Sequence, residues 1–323
     1  MQFSFRALQY VVATAEAGSV NGGAQLVNSS QPSVSAAIAQ IEARLGVALF
    51  VRHHARGMTT TAAGQRFVNE ARILLNHARD FARNAETLGA TVTGEITVGS
   101  FVTLATRFMP GLLAEFARRA PGITVNLQEG NQQEILDGLV SGRLELALAY
   151  AYAVPDDIKA QRLTELPPYV LVSPEHRLAK RRRISIHDIG GDPFILLDLP
   201  ISRNYFLNLF LTHGIEPHIA YRSRSPELIR NLIGHGRGYT IHNVLPRHGL
   251  NYDGGRIVAL SIAEQVAPVQ VVALSLRRQK MRPAAELFAS FLAESFTPGG
   301  LFGANSATDS LPVESDDRAG SNP

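Results

Sequence analysis

The sequence predicts an α-helical head, a long linker helix and an α/β body of two lobes, and three observations carry that prediction. Apolar residues step by three and four through the N-terminal third, with Gly and Ser punctuating the runs. A 3.5-residue apolar repeat then extends from Phe67 to Leu88 without Pro. From Ile96 onward, short β-branched runs alternate with helical ones, the pattern of a mostly parallel sheet covered by helices.

Phe5, Leu8, Val12 and Ala15 mark one amphipathic helix that Gly18 ends, and Val20 to Val27 forms a short second helix before the turn at Asn28-Ser29. Ser29-Ser30-Gln31-Pro32-Ser33-Val34-Ser35 then opens a third. It offers a capping hydroxyl and a Pro in the first turn, where a missing N–H costs nothing. Val34, Ile38, Ile41 and Leu45 give this helix one apolar face, and Gly46 stops it. Leu49-Phe50-Val51-Arg52-His53-His54-Ala55-Arg56-Gly57 follows as two anchors leading into a basic loop. Helix, helix, turn, helix and wing make a winged helix-turn-helix over residues 1–61. Its third helix begins with small polar side chains, as major-groove insertion requires. Gln31, Pro32, Ser33 and Ser35 are the expected base-facing residues, and Arg52 and Arg56 the expected phosphate contacts.

This head resembles that of LysR-type transcriptional regulators. The resemblance rests on Ser19, Ala24, Ser30 through Ser35, Ile41-Glu42, Leu45-Gly46, Leu49-Phe50, Arg52 and Thr61-Ala62-Ala63-Gly64. The chain departs from the family pattern at Gly22-Gly23, where a more helical pair is usual, and at Ala36, where Arg is frequent.

Residues 62–92 are expected to form the linker helix, with Thr61 as its cap and Gly89 at its end. Phe67, Leu74, Phe81 and Leu88 fall on one seam. A seam of this period suits a coiled-coil dimer that presents two heads together; a helix packed on its own domain is the alternative. The family resemblance implies the dimer, and a tetramer through the bodies.

In the body, Ile96-Thr97-Val98-Gly99, Ile123 to Leu127 and Leu144 to Ala149 read as strands, with helices at Arg107 to Arg118 and Gln133 to Val140. Leu163 to Ser173 reads as a crossing into a second lobe. That lobe holds strands at Phe194 to Leu197, Ile219 to Arg222 and Gly238 to His242, and helices at Tyr205 to His213 and Pro226 to Ile233. Val266 to Leu276 returns, and Pro283 to Phe296 closes the fold. Together with Gly94 through Gly99, Gly142 through Leu148 and Gly236 through Tyr239, this arrangement is similar to the periplasmic-binding-protein-like effector domain of the same family. It is expected over 93–296, with lobe I at about 93–163 and 268–296 and lobe II at about 164–267. Glu145 stands where the family commonly has Asp. Residues 297–323, rich in Gly, Ser, Asn, Asp and Pro, read as a disordered acidic tail.

Ligands of α/β lobes sit beyond the carboxyl ends of strands, where helix N-termini offer donors. Ser100, Thr103, Asn131 and Tyr150 follow strands of lobe I; Ser202, Arg203, Tyr239 and Asn243 belong to lobe II. Hydroxyl, amide and guanidinium groups at one crevice suit a small organic anion as effector. For Ser202 and Arg203 a helix cap and a solvated cation are the plainer alternative.

A net charge of +3 over 323 residues gives no bulk basic argument for nucleic acid, although every basic residue before position 90 is Arg. The absence of Cys excludes disulfides, thiolate chemistry and Cys-type zinc sites, and no metal or cofactor is expected. No nucleophile elbow, phosphate loop or dinucleotide fingerprint occurs, so no enzyme is expected. No signal-type segment or membrane-length apolar run is visible, which predicts a cytoplasmic location. The expected partners are therefore a promoter operator of partial dyad, a small effector and further copies of the chain. A solute-binding protein, or an enzyme acting on small acids, built on the same lobes is the alternative; neither uses the first ninety or so residues.

Overall fold

The structure is a computed structural model that describes residues 3–53, 57–86, 92–200, 202–245, 249–277 and 280–303. The head contains α1 (Phe5–Ala17), α2 (Val20–Leu26) and α3 (Gln31–Leu45), then the hairpin β1 (Phe50–His53) and β2 (Gly57–Thr60). The cap of α3 and the two Gly stops fall where the sequence puts them, and Ser4 caps α1 in addition. Ser4 accepts the Ala7 amide, Ser30 accepts the Ser33 amide, and Gly18 and Gly46 close their helices with φ of 62° and 68°. Val11, Val34, Ile38, Ile41 and Leu49 fill the head's core.

The Gly22-Gly23 pair has a packing cause. A Cβ on Gly23 would lie 2.7 Å from Thr14 Cα, so α2 crosses α1 at backbone contact. That approach recovers through packing what a helical Gly loses in propensity.

Helix α4 (Ala62–Glu86) leaves the wing with Thr61 Oγ1 accepting the Gly64 amide at 2.9 Å and donating to the Ala48 carbonyl at 2.7 Å. Gly64 is obligatory here, because a Cβ would sit 1.9 Å from the Leu49 carbonyl oxygen. Along α4 the expected seam divides. Val68, Ala71 and Leu75 are buried against the head, and Phe67 packs edge-on to Phe3 at 5.8 Å. Leu74 and Phe81 remain exposed, Phe81 at 76%. Leu88 lies outside the described residues, as does Arg56 of the wing.

Lobe I is a five-stranded sheet in the order β4 (Ile123–Gly130), β3 (Gly94–Phe101), β5 (Leu146–Tyr150), β13 (Val269–Leu276), β6 (Ile158–Leu166). Only the returning β13 runs antiparallel to its neighbours. Helices α5 (Val102–Arg119), α6 (Gln132–Val140) and α10 (Pro283–Ser295) cover it. Lobe II pairs β11 (Thr240–His242), β7 (Tyr169–Val172), β12 (Val258–Ile262) and β8 (Arg183–Ile184) in that order. Beside them, β9 (Phe194–Leu197) and β10 (Ile219–Ser223) form a parallel pair. Three helices complete the lobe: α7 (Ile186–Ile189), α8 (Ser202–Leu211) and α9 (Pro226–Gly234). The chain crosses between lobes at Pro167-Pro168, a few residues beyond the expected point, and again between Ile262 and Val269, a span that contains the expected one.

Two expectations are corrected. Helix α5 starts at Val102, not near Arg107, because β3 runs straight into it without a loop. The tail does not begin at 297. Phe302 is buried, packing edge-on to Phe108 at 5.0 Å and tilted against Phe296 at 5.5 Å, in a space left by Gly111.

Candidate functional site

Two surfaces bring together the residues singled out above. The first is the start of α3. Gln31, Pro32 and Ser33 are exposed there and Ser35 is half-buried, while Val34 and Ile38 point into the core. Ser33 gives part of its hydrogen-bonding capacity to the cap through a 2.7 Å contact with Ser30 Oγ, so Gln31 holds the most adaptable donor and acceptor on this face. Arg52 is exposed on β1 in register with Met58.

The bracing of this face includes residues that periodicity does not reveal. Glu42 Oε1 accepts the backbone amides of Leu49 at 2.7 Å and Phe50 at 3.2 Å, which fixes the wing relative to α3. Tyr10 contacts Ser29 Oγ at 2.8 Å and accepts from Arg6 Nε at 2.7 Å, which fixes the turn before α3. The hydrogen bond with Ser29 leads the causes that lower the Tyr10 hydroxyl pKa. A spacing pattern finds apolar stripes; Glu42 and Tyr10 act through single polar contacts.

The second surface lies between the lobes. Phe101, Thr103, Tyr150 and Tyr152 from lobe I meet Leu197, Phe206, His242, Asn243 and Val244 from lobe II around a pocket of about 20 Å³, room for a single water. A ladder of rings bridges it. Phe101–Tyr150 centroids are 5.0 Å apart, Tyr150–Tyr152 5.5 Å, Tyr152–Tyr205 5.7 Å, Tyr205–Phe206 5.3 Å, and Phe206–His242 6.3 Å. Thr103 Oγ1 and Tyr150 Oη share a 2.9 Å hydrogen bond, and Asn243 Nδ2 donates to the Leu166 carbonyl at 3.1 Å and to Tyr205 Oη at 3.3 Å. Gln132 Nε2 holds the Tyr150 and Tyr152 carbonyls at 2.8 and 3.0 Å. Burial raises the Tyr150, Tyr152 and Tyr205 hydroxyl pKa values and pushes His242 down to about 3, so the cleft is lined by neutral groups near neutral pH.

Thr103, Tyr150 and Asn243 thus share one pocket, and four other expected residues do not line it. Ser100 is fully buried within β3, not in a loop after it. Asn131 spends its side chain capping α6, accepting from Gln133 and Glu134 amides at 2.9 and 3.2 Å. Arg203 is paired with Asp198 at 2.9 Å. Tyr239 is buried in lobe II against Phe194 and Phe210. The side chain of Ser202 lies outside the described set. His242 and Tyr205 went unnoticed in sequence because each is one aromatic among many until the lobes close on them.

Among the described residues no cluster of three His, Cys, Asp or Glu side chains could hold a metal, and no helix is long and apolar enough to cross a membrane.

Comparison with known proteins gives these surfaces their context. Residues 5–65 match the bacterial regulatory helix-turn-helix protein model of the lysR family, and residues 89–297 match the LysR substrate binding domain. The chain is 34% identical to the solved structure of HinK, a LysR family transcriptional regulator from Pseudomonas aeruginosa, covering 90% of this chain and 98% of that one with a TM-score of 0.61. Full-length OxyR from Pseudomonas aeruginosa shares the fold at a TM-score of 0.69 and 21% identity, over 90% of this chain and 95% of its own. The uncharacterized HTH-type transcriptional regulator YnfL of Escherichia coli is 26% identical over 293 residues, 89% of this chain and 97% of YnfL. With both domain models matched in order and the second spanning well over half the chain, the protein belongs to the LysR family of transcriptional regulators, with a DNA-binding head and an effector-binding body.

Proposed function

We propose that the protein binds a promoter operator of partial dyad as a homodimer or homotetramer in the cytoplasm, and that a small organic anion in the interlobe cleft alters how it does so. Exposure of Gln31, Pro32 and Ser33 beside a braced wing is the observation that carries the DNA reading. Ser35 flanks them, Arg52 and Arg56 reach phosphate, and Gln31 pairs with adenine through its amide. The pairing of heads through Leu74 and Phe81 is supported by their exposure on a helix whose Phe67, Val68, Ala71 and Leu75 already pack on the head.

For the effector, Thr103, Tyr150, Tyr205 and Asn243 are the polar contacts the cleft offers, framed by the ring ladder. A pocket of about 20 Å³ must open to admit a ligand, so the ligand acts by favouring a wider lobe arrangement. Selection of bound fragments from the source genome, followed by footprinting with and without candidate organic acids, tests the reading. Equal affinity for the recovered fragments and for random DNA would overturn it.

A further inference from the structure

A chamber of about 730 Å³ opens where head, linker and lobe I meet, and it shares no residue with the interlobe pocket. The head lines it with Gln9, Val12 and Glu16 of α1 and with Leu26 and Asn28 at the end of α2. Helix α4 adds Arg72, Asn76 and Arg79. Lobe I adds Thr97 of β3, Gln128 of β4, and Arg143 just beyond α6.

The charge on this lining is lopsided. Three guanidiniums, Arg72, Arg79 and Arg143, stand against one carboxylate, Glu16, which leaves two net positive charges. Glu16 is committed to Arg72 at 3.0 Å. The other two arginines donate to neutral oxygens, Arg79 Nη1 to Asn76 Oδ1 at 3.1 Å and Arg143 Nε to Ser141 Oγ at 3.2 Å. Among the described residues no carboxylate pairs with either, and both are exposed to the solvent that fills the chamber. Arg143 also stands close enough to Arg72 to work against its charge. Like charges gathered in this way repel, and a bound anion relieves the repulsion.

We propose that this chamber binds a sugar phosphate, with Arg79 and Arg143 holding the phosphate. Charge selects the head group: two uncompensated guanidiniums match a phosphate monoester dianion, and their planar forks suit its oxygens. A single carboxylate would leave one of them unmatched. The rest of the lining selects the body. The carboxamides of Gln9, Asn28, Asn76 and Gln128, with the Thr97 hydroxyl, supply both donors and acceptors, as a polyhydroxylated chain or ring requires. No aromatic side chain lines the space, so a nucleobase finds no ring to stack on. The volume lies within the roughly 300–1,000 Å³ of small-molecule sites. Asn28, with φ of 48°, stands in the turn that leads into α3, whereas Gln128 and Arg143 belong to lobe I. The occupant therefore touches the reading head and the body at once, and the site is independent of the interlobe cleft.

The full-length protein is titrated calorimetrically with glucose 6-phosphate, fructose 6-phosphate, ribose 5-phosphate, glucose and inorganic phosphate. At least one sugar phosphate should bind, glucose should not, and inorganic phosphate should bind more weakly than that sugar phosphate. Arg79→Gln and Arg143→Gln should each weaken the sugar phosphate by roughly tenfold or more, the loss expected for a charge-assisted pair. Their melting temperatures without ligand should stay at the wild-type value, since each exposed arginine gives up one neutral hydrogen bond. Gln128→Ala should weaken the sugar phosphate and leave inorganic phosphate unchanged, and Thr103→Val in the cleft should match wild type. Failure of all three sugar phosphates to bind, or equal binding of inorganic phosphate, overturns the site. So does binding that Thr103→Val weakens and Arg143→Gln does not, which would place the ligand between the lobes. Without ligand, Arg143→Gln should bind the recovered genomic fragments with wild-type affinity and salt dependence. A flatter salt slope would give this guanidinium to DNA phosphate and overturn the proposal.

Discussion

Arg72 in the middle of α4 donates through Nε and Nη2 to Glu16 Oε1 of α1, at 3.2 and 3.0 Å, while its Nη1 donates to the Ser141 carbonyl at the end of α6. One guanidinium, 8% exposed, therefore joins head, linker and effector lobe. Burial lowers its pKa and the Glu16 carboxylate opposes that shift, leaving it charged at any working pH. Arg72→Ala should destabilise the full chain by about 1–3 kcal/mol, the range for losing charged hydrogen bonds. Hydrogen exchange should rise at both α1 and the α6 C-terminus. Exchange rising at only one of them would show that the contact is not shared.

Gln31→Ala and Arg52→Ala should fail differently on DNA. Loss of the Gln31 amide should cost about 1–3 kcal/mol at one base position and relax the preference there. Loss of Arg52 should weaken all sequences alike and flatten the salt dependence by about one unit of slope. Binding measured across a salt series on operator and scrambled duplexes separates the two.

The division of the linker seam predicts opposite outcomes for two of its members. Phe81→Asp, at an exposed position, should shift sedimentation toward the monomer and leave the melting temperature of the head unchanged. Phe67→Ala, packed on Phe3, should instead lower head stability by about 1–3 kcal/mol with assembly retained. Unchanged sedimentation of Phe81→Asp at micromolar concentration would remove this residue from the interface.

His242 gives the body a defined acid sensitivity. Burial, helped by Arg230, holds its folded pKa at about 3, well below the 6.5 of an unperturbed imidazole. The unfolded chain therefore binds the extra proton first, and the stability from keeping this ring neutral is complete above about pH 6.5 and declines as pH falls toward 3. The slope approaches about 1.4 kcal/mol per pH unit within that window. His242→Asn should flatten the fall in melting temperature between pH 7 and pH 5; an unchanged slope would place the acid sensitivity elsewhere.

Arg282 and Glu145 form the most buried ion pair among the described residues, with side chains 4% and 13% exposed. Glu145 Oε2 accepts from Arg282 Nε at 2.7 Å and Oε1 accepts the Thr97 amide at 3.3 Å, while the same arginine reaches the Glu95 carbonyl at 2.7 Å. Arg282→Met should cost about 3–5 kcal/mol in denaturant unfolding, because it strands a buried carboxylate. Glu145→Asp, the family's commoner residue, tests whether the longer side chain is needed to span both contacts.

The head was almost wholly legible in sequence because its determinants are local. Ser30, Gly18 and Gly46 each act within one helical turn, and Val34, Ile38 and Ile41 declare a buried face by spacing alone. The strands of the body were legible where β-branched runs stand between turns, as at Phe194 to Leu197. What failed was whatever depends on partners far along the chain. Ser100 looked like a loop hydroxyl because β3 carries no stop signal before Phe101. Tyr239 looked available until Phe194 and Phe210 closed over it. Arg230 and His242 converge from separate elements with no motif between them. Phe302 was hidden in a Gly-rich stretch whose composition outweighed one aromatic anchor.

Helix α6 has one further consequence. Its N-terminal Gln132 grips the carbonyls of Tyr150 and Tyr152 at the cleft, and the residue after its last turn, Ser141, is gripped by Arg72 beside the head. Nine residues at about 1.5 Å each give a rod of roughly 13 Å, stiffened at its start by a capping box and too short to bend appreciably. A rod pinned at both ends passes on displacement instead of absorbing it. One nine-residue helix thus has the Tyr150 and Tyr152 carbonyls of the cleft at its start and the Arg72 guanidinium of the linker at its end.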